Sequence, residues 1–214
     1  MTTLSVLIVD DHRMFGDALV VILGSAPDIV AMPVARDATS ALSLAAAEQP
    51  DVVLMDVDLP DFDGIEATER LSAISPGSAV IMITASMDAS LMTRAVRAGA
   101  SGFVSKQRAA DELLDSVRRA AAGESVFLPH ELEALAASGF GSIDQRPSTC
   151  PLTVRELEVL QSLTHGMTTE EVARALFLSP RTVQGHVQNI LTKVGARSKL
   201  EAVLDGLRHG FVVL

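Results

Sequence analysis

Pro50-Asp51-Val52-Val53-Leu54-Met55-Asp56-Val57-Asp58-Leu59-Pro60 sets four apolar residues between an acidic lead-in and an aspartate, with a proline at either end. A short apolar run bounded in this way reads as a strand buried on both faces of a parallel sheet. Asp56 then leaves the carboxyl end of that strand, the edge where open α/β sheets gather their chemistry. It is the first candidate for a reacting group.

Outward from this stretch, strand-like runs at Leu4 to Val9, Ile29 to Val34, Ala79 to Thr84 and Gly102 to Ser105 join Val52 to Met55. They alternate with helical patterns near 13 to 25, 38 to 48, 64 to 74, 88 to 98 and 109 to 122. Five strand-helix units predict an α/β fold with a doubly wound, five-stranded parallel sheet over residues 1–125. Gly99 and Gly123 stand where helices should end and need left-handed geometry. Residues 126–150 read as a linker, rich in Ala, Ser and Gly, with one short helix around 130 to 137. Helical punctuation returns over residues 151–214. Thr153 with Glu156, Thr168 with Glu171, and Ser198 with Glu201 have the spacing of capping boxes. Ser179-Pro180 is an N-cap followed by proline at the first helical position.

At 214 residues the chain suits one large domain or two small ones, and its 48% hydrophobic residues supply apolar surface for real cores. No run approaches the roughly 18 apolar residues of a membrane span, so a soluble cytoplasmic protein is expected, without a membrane partner. The single Cys150 has no cysteine neighbour for a disulfide or a zinc site. The net charge of −10 argues against nucleic acid only if it is evenly spread, and it is not. Residues 1–125 hold 18 acidic against 9 basic side chains, whereas 172–200 hold five basic residues and no acidic one. A local basic surface survives in an acidic protein.

Asp10 and Asp11 end the first strand, Asp56 the third, Thr84 the fourth and Lys106 the fifth. Parallel strands bring all five to one edge of the sheet. Two like charges 4 Å apart repel by about 4 kcal/mol at an effective dielectric near 20, so three carboxylates call for a cation or a proton. A hard divalent ion, Mg2+ by preference, on Asp10, Asp11 and Asp56 meets that need. Such an ion also favours an incoming phosphoryl group, with Lys106 and the Thr84 hydroxyl on its oxygens.

Leu7-Ile8-Val9-Asp10-Asp11-His12, Leu54-Met55-Asp56 with Leu59-Pro60 and Asp63-Gly64, Thr84-Ala85, and Gly102-Phe103-Val104-Ser105-Lys106 resemble the receiver domain of two-component response regulators. The resemblance implies that Asp56 is the phosphoacceptor, served by a sensor histidine kinase. It implies Mg2+ on Asp10 and Asp11, and phosphoryl sensing by Thr84, Lys106 and Phe103, the last at the family's aromatic switch position. Core packing is the competing role for Phe103.

Val183, Val187, Ile190, Leu191 and Val194 recur at helical spacing and form one buried stripe. Gln184, Gly185, Gln188, Thr192 and Lys193 then face solvent or a groove. A short helix at 169 to 177 and a turn at Leu178-Ser179 before this helix give a helix-turn-helix. Leu152-Thr153-Val154-Arg155-Glu156, Glu158-Val159-Leu160, Gly166, Leu178-Ser179-Pro180-Arg181-Thr182-Val183, His186-Val187 and Lys193-Val194-Gly195 resemble the LuxR-type output domain of NarL/FixJ regulators. That resemblance implies DNA contacts from Arg181, Thr182, Gln184, Gly185, Gln188 and Lys193. Relatives often carry lysine where this chain has Gln184 and Gln188, which shifts phosphate positioning to Arg181, Lys193, Arg197 and Lys199. His186 has no metal-type residue four positions away and is read as structural. Leu200, Val203, Leu204 and Leu207 form a stripe that, by resemblance, dimerises two recognition helices.

The expectation is a DNA-binding response regulator, active as a homodimer, not an enzyme beyond handling its own aspartyl phosphate. The alternatives are a partner-binding regulator with reduced DNA binding and a haloacid dehalogenase-type phosphatase. The latter is disfavoured because the acidic pair precedes Asp56 and no cap domain is evident.

Overall fold

The computed structural model describes residues 3–85, 89–106, 110–127 and 150–213. The short helix expected near 130 to 137 lies outside them. Five strands, β1 (Leu4–Val9), β2 (Ile29–Ala31), β3 (Val52–Asp56), β4 (Ala79–Thr84) and β5 (Gly102–Ser105), form one parallel sheet in the order β2-β1-β3-β4-β5. Between and after them run α1 (Arg13–Gly24), α2 (Ala38–Glu48), α3 (Gly64–Ile74), α4 (Ala89–Ala98) and α5 (Ala110–Ala121).

Both faces of the sheet are apolar, as a strand covered on both sides requires. Leu7, Val9, Val53, Met55, Val80, Met82 and Phe103 pack with α2, α3 and α4. Their strand neighbours Val6, Ile8, Val52, Leu54, Ile81, Ile83 and Val104 pack with α1 and α5. Residues 126 and 127, expected in the linker, belong to this domain's packing: Val126 bridges to Gly102, and Phe127 is buried against the α2–α4 side. β2 stops three residues short of the expected Val34. Pro33 brings no N–H to the ladder, and pairing resumes only where Ala35 donates to the Ile8 carbonyl at 2.9 Å. Conversely, β3 runs one residue further than expected, with Asp56 in register opposite Ile83.

Caps decide where the helices begin. Asp37 and Asp63 accept from Ser40 N and Ile65 N, each at 2.7 Å, at the starts of α2 and α3. Gly64 opens α3 because a Cβ there would collide with the Asp56 carbonyl oxygen. Gly99 and Gly123 take φ of 111° and 78° after α4 and α5.

The second unit comprises α6 (Val154–Thr164), α7 (Thr169–Ala175), α8 (Pro180–Val194) and α9 (Lys199–Arg208) around Leu152, Val159, Leu160, Val172, Val183 and Ile190. Complete capping boxes start α6 and α7, and Ser179 with Pro180 starts α8. The third expected box differs: Ser198 caps Glu201 N, but the Glu201 carboxylate returns to the Arg197 N–H at 2.7 Å, one residue earlier. The two units touch. Leu200 and Leu204 of α9 belong to the same buried cluster as Met92, Ala95 and Val96 of α4. Among the described residues, no helix is long and apolar enough to cross a membrane.

Candidate functional site

β1, β3 and β5 deliver Asp10, Asp56 and Lys106 to one point at the carboxyl edge of the sheet. Lys106 Nζ donates to Asp56 Oδ2 at 2.7 Å and to Asp10 Oδ2 at 2.9 Å, and it lies 4.9 Å from the centre of the Phe15 ring. Asp10 and Asp56 are 1% and 2% exposed, while Asp11 opens to solvent. Backbone donors complete the lining: His12 N to Asp10 Oδ1 at 2.7 Å, and Asp58 N to Asp56 Oδ1 at 3.4 Å.

Burial pushes the Asp56 pKa up from its ordinary value, and the adjacent Asp10 charge adds to that, against the opposing pull of Lys106. Burial also works against the Lys106 charge, but the hydrogen bonds to Asp56 and Asp10 prevail and raise its pKa. The lysine therefore stays charged between two carboxylates that one ammonium does not neutralise. Oxygen ligands from Asp10, Asp11 and Asp56 lie within 4.8 Å of one another together with a nitrogen of His12. That oxygen-rich donor set suits a hard divalent cation.

Thr84 is buried at the end of β4, in register with Ser105, and its carbonyl accepts from Lys106 N at 3.0 Å. Phe103 is 1% exposed, edge-on to Phe127 with ring centres 5.9 Å apart. Its side chain packs in the core rather than at the surface. His12 is the member that the motif pattern left without a role. Its Nδ1 lies 2.6 Å from Asp11 Oδ1, 3.5 Å from Asp10 Oδ1 and 3.9 Å from Asp56 Oδ2. The only signal was its position directly after the acidic pair.

On α8, Val183, Val187, Ile190 and Val194 are buried, while Arg181, Thr182, Gln184, Gly185 and Gln188 stay exposed on the opposite face. Part of that face borders the first unit. Gln184, Gln188 and Thr192 line a cleft of about 510 Å³ whose other wall is the first unit, including Gly77, Gly99 and Ser125. The basic residues nearby are largely engaged. Lys193 Nζ holds both Glu156 oxygens at 2.7 and 2.8 Å. Arg197 pairs with Glu69 of α3 at 2.6 Å, and Lys199 donates to the Gly123 carbonyl at 3.2 Å and to Thr169 Oγ1 at 3.3 Å. Burial in this junction pulls the Lys199 pKa down. The expected dimer stripe is likewise in use: Leu200 and Leu204 lie against α4, and Val203 and Leu207 pack on the second unit's own core.

Comparison with known proteins agrees with this division. Residues 6–118 match the model described as response regulator receiver domain. Residues 150–204 match that of bacterial regulatory proteins, luxR family. The chain is 31% identical to the transcriptional regulatory protein DegU of Brevibacillus brevis, over 98% of this chain and 95% of that protein. It is also 31% identical to the response regulator protein VraR of Staphylococcus aureus, over 98% and 99%. Among solved structures, the response regulator ChrA of a heme-sensing two-component system covers 99% of this chain and all of its own, at 29% identity and TM-score 0.52. A LuxR-family two-component response regulator from Aurantimonas sp. covers 64% of this chain and 98% of its own, at 28% identity and TM-score 0.59.

Proposed function

The chain belongs to the response regulators that join a receiver domain to a LuxR-type DNA-binding domain, and we propose that phosphorylation of Asp56 controls access to the α8 face. The observation that carries this reading is Lys106, which ties Asp56 to Asp10 at the mouth of the sheet. A cation already held there is available to a phosphoryl oxygen as soon as Asp56 reacts.

In the reaction, an Asp56 carboxylate oxygen attacks phosphorus of a phosphorylated histidine on a sensor kinase. The new O–P bond forms, the N–P bond breaks, and its electron pair stays with the histidine. Asp10, Asp11 and Asp56 fit Mg2+, which when bound would neutralise the carboxylates and the incoming phosphoryl oxygens. Lys106 moves from carboxylate to phosphoryl oxygen, and the Thr84 hydroxyl donates to another. The β4–α4 and β5 region shifts with them, and α4 is the helix on which α9 rests.

Output then follows from packing. Freeing α9 from α4 exposes Leu200 and Leu204, the apolar stripe for a second copy, and widens the cleft that Gln184 and Gln188 line. Arg181, Thr182, Gln184, Gly185, Gln188 and Lys193 then meet DNA, as a homodimer on paired half-sites. Genomic-fragment selection with the purified protein, with and without beryllofluoride and Mg2+, tests this. Enrichment of a specific site in wild type only with beryllofluoride, and its absence in Asp56→Asn, is the expected result. Equal enrichment in every sample overturns the switch. No enrichment in any sample overturns DNA as the partner.

A further inference from the structure

We propose that Lys199 is an acylation site: its ε-amine takes the acyl group of a small activated donor in the cleft between the two units, and the product loosens their junction. Neither step depends on DNA as the partner of α8 or on a metal at the receiver.

The chain has three lysines, Lys106, Lys193 and Lys199. Two of them are held by carboxylates: Lys106 by Asp56 and Asp10 at 2.7 and 2.9 Å, and Lys193 by both oxygens of Glu156 at 2.7 and 2.8 Å. Among the described residues, Lys199 Nζ instead reaches neutral oxygens, the Gly123 carbonyl at 3.2 Å and Thr169 Oγ1 at 3.3 Å. The acids nearby are engaged elsewhere. Glu124, which lines the same cleft, is held by Arg119 at 2.9 Å, and Glu69 is held by Arg197 at 2.6 Å. Glu170 acts on Lys199 only through its field.

Lys199 is also the first residue of α9, the helix end at which backbone dipoles oppose a positive charge. Burial opposes that charge as well and pulls the pKa down, which favours the free amine that acts as nucleophile. The cleft of about 510 Å³ that Lys199 lines has room for a small donor such as an acyl phosphate. In the reaction, the amine nitrogen attacks the acyl carbonyl carbon. The N–C bond forms, the C–O bond to phosphate breaks with its electron pair on the phosphate, and the amine proton passes to that phosphate. With a thioester, the thiolate leaves in its place and takes the proton. The product does not fit where the amine stood: even a Cβ at Gly123 would collide with Lys199 Nζ, so an N-acyl group has no room on that side and turns the side chain into the cleft. The tie from α9 to Gly123, just after α5, and to Thr169, which opens α7, is then lost.

Peptide mass spectrometry of the full chain, incubated in EDTA with acetyl phosphate or with acetyl-coenzyme A, follows acetylation of the three lysines over time. EDTA withholds divalent ions from the acidic pocket, so acetyl phosphate is kept from reacting at Asp56. In the folded protein Lys199 should react about tenfold faster than Lys106 and Lys193, with at least one of the two donors. In urea the three rates should converge, because the preference comes from the folded junction. Hydrogen exchange of protein acetylated at Lys199 should rise at α4 and α9, where the two units touch. Lys199→Arg, which keeps the charge, should gain no acetyl group at 199 and should exchange as wild type does. Equal rates in the folded chain with both donors overturn the proposal. A preference that persists in urea also overturns it, since the local sequence and not the cleft is then responsible. Acetylation of Lys199 with unchanged exchange at α4 and α9 overturns the loosening of the junction.

Discussion

Asp56 in the receiver and Glu156 in the output domain are both nearly sealed carboxylates, 2% and 3% exposed, and each meets a lysine Nζ at 2.7 Å. Their acidities nonetheless move in opposite directions. Asp56 is pushed up, by burial first and then by Asp10, with which it shares its lysine. Burial also acts on Glu156, but Lys193 meets both of its oxygens, and Thr153 adds a backbone N–H at 2.7 Å and a hydroxyl at 2.8 Å. The sum lowers the Glu156 pKa to about 2. Burial and an ion pair therefore do not by themselves make a carboxylate stable. What matters is whether donors outnumber neighbouring charges. The first site is left with unsatisfied negative charge that a ligand can answer, and the second is complete.

Removing one partner of the ion pair in each site tests that difference most severely. Lys106→Ala leaves Asp10 and Asp56 buried without a cation and should cost about 3 kcal/mol in urea unfolding. The loss should shrink when Mg2+ is added. Glu156→Ala in the output domain removes a capping box together with an ion pair and should cost about 2 kcal/mol, and Glu156→Gln about half of that, with no effect of Mg2+ on either.

Acid separates the sites by sign. A lowered pKa means that the Glu156 contribution is fully present above 4.5 and is lost as pH falls towards about 2. A raised pKa means that Asp56 stabilises the receiver most below 3.8, and that this contribution is lost as pH rises through the raised value. Hydrogen exchange resolved by domain should show the output domain weakening over the acid window in wild type but less so in Glu156→Gln. Asp56→Asn should flatten only the receiver's pH dependence. The smallest effect belongs to Arg197→Ala. Its pair with Glu69 is half-exposed on both sides, so it should cost at most about 0.5 kcal/mol, seen as a slight loosening between domains.

Much of this arrangement is legible from residues taken one stretch at a time. Parallel strands with apolar residues at every position must be covered on both faces, and that alone brings Asp10, Asp56 and Lys106 to one edge. Caps such as Thr153, Thr168 and Ser179 are local and are found where their spacing puts them. What escapes such reading is long-range or side-chain in nature. Lys193 carries no mark of its bond to Glu156, which is 37 residues away. Nor does the spacing of Leu200 and Leu204 distinguish α4 of the same chain from a second copy, since an apolar stripe specifies burial and not its partner. The direction of the His12 ring depends on a rotamer that no pattern encodes.

The junction between the domains carries a thermodynamic obligation. Gln184 and Gln188 line the same cleft as Gly99 and Ser125, and on the proposed reading a duplex laid on α8 would need that space. Whatever opens the cleft from the receiver side tightens the hold on such a duplex by some factor, and linkage makes that factor reciprocal. A bound operator would thus strengthen the receiver's hold on beryllofluoride and Mg2+ to the same degree, making the promoter an effector of the sensor half as well as its target.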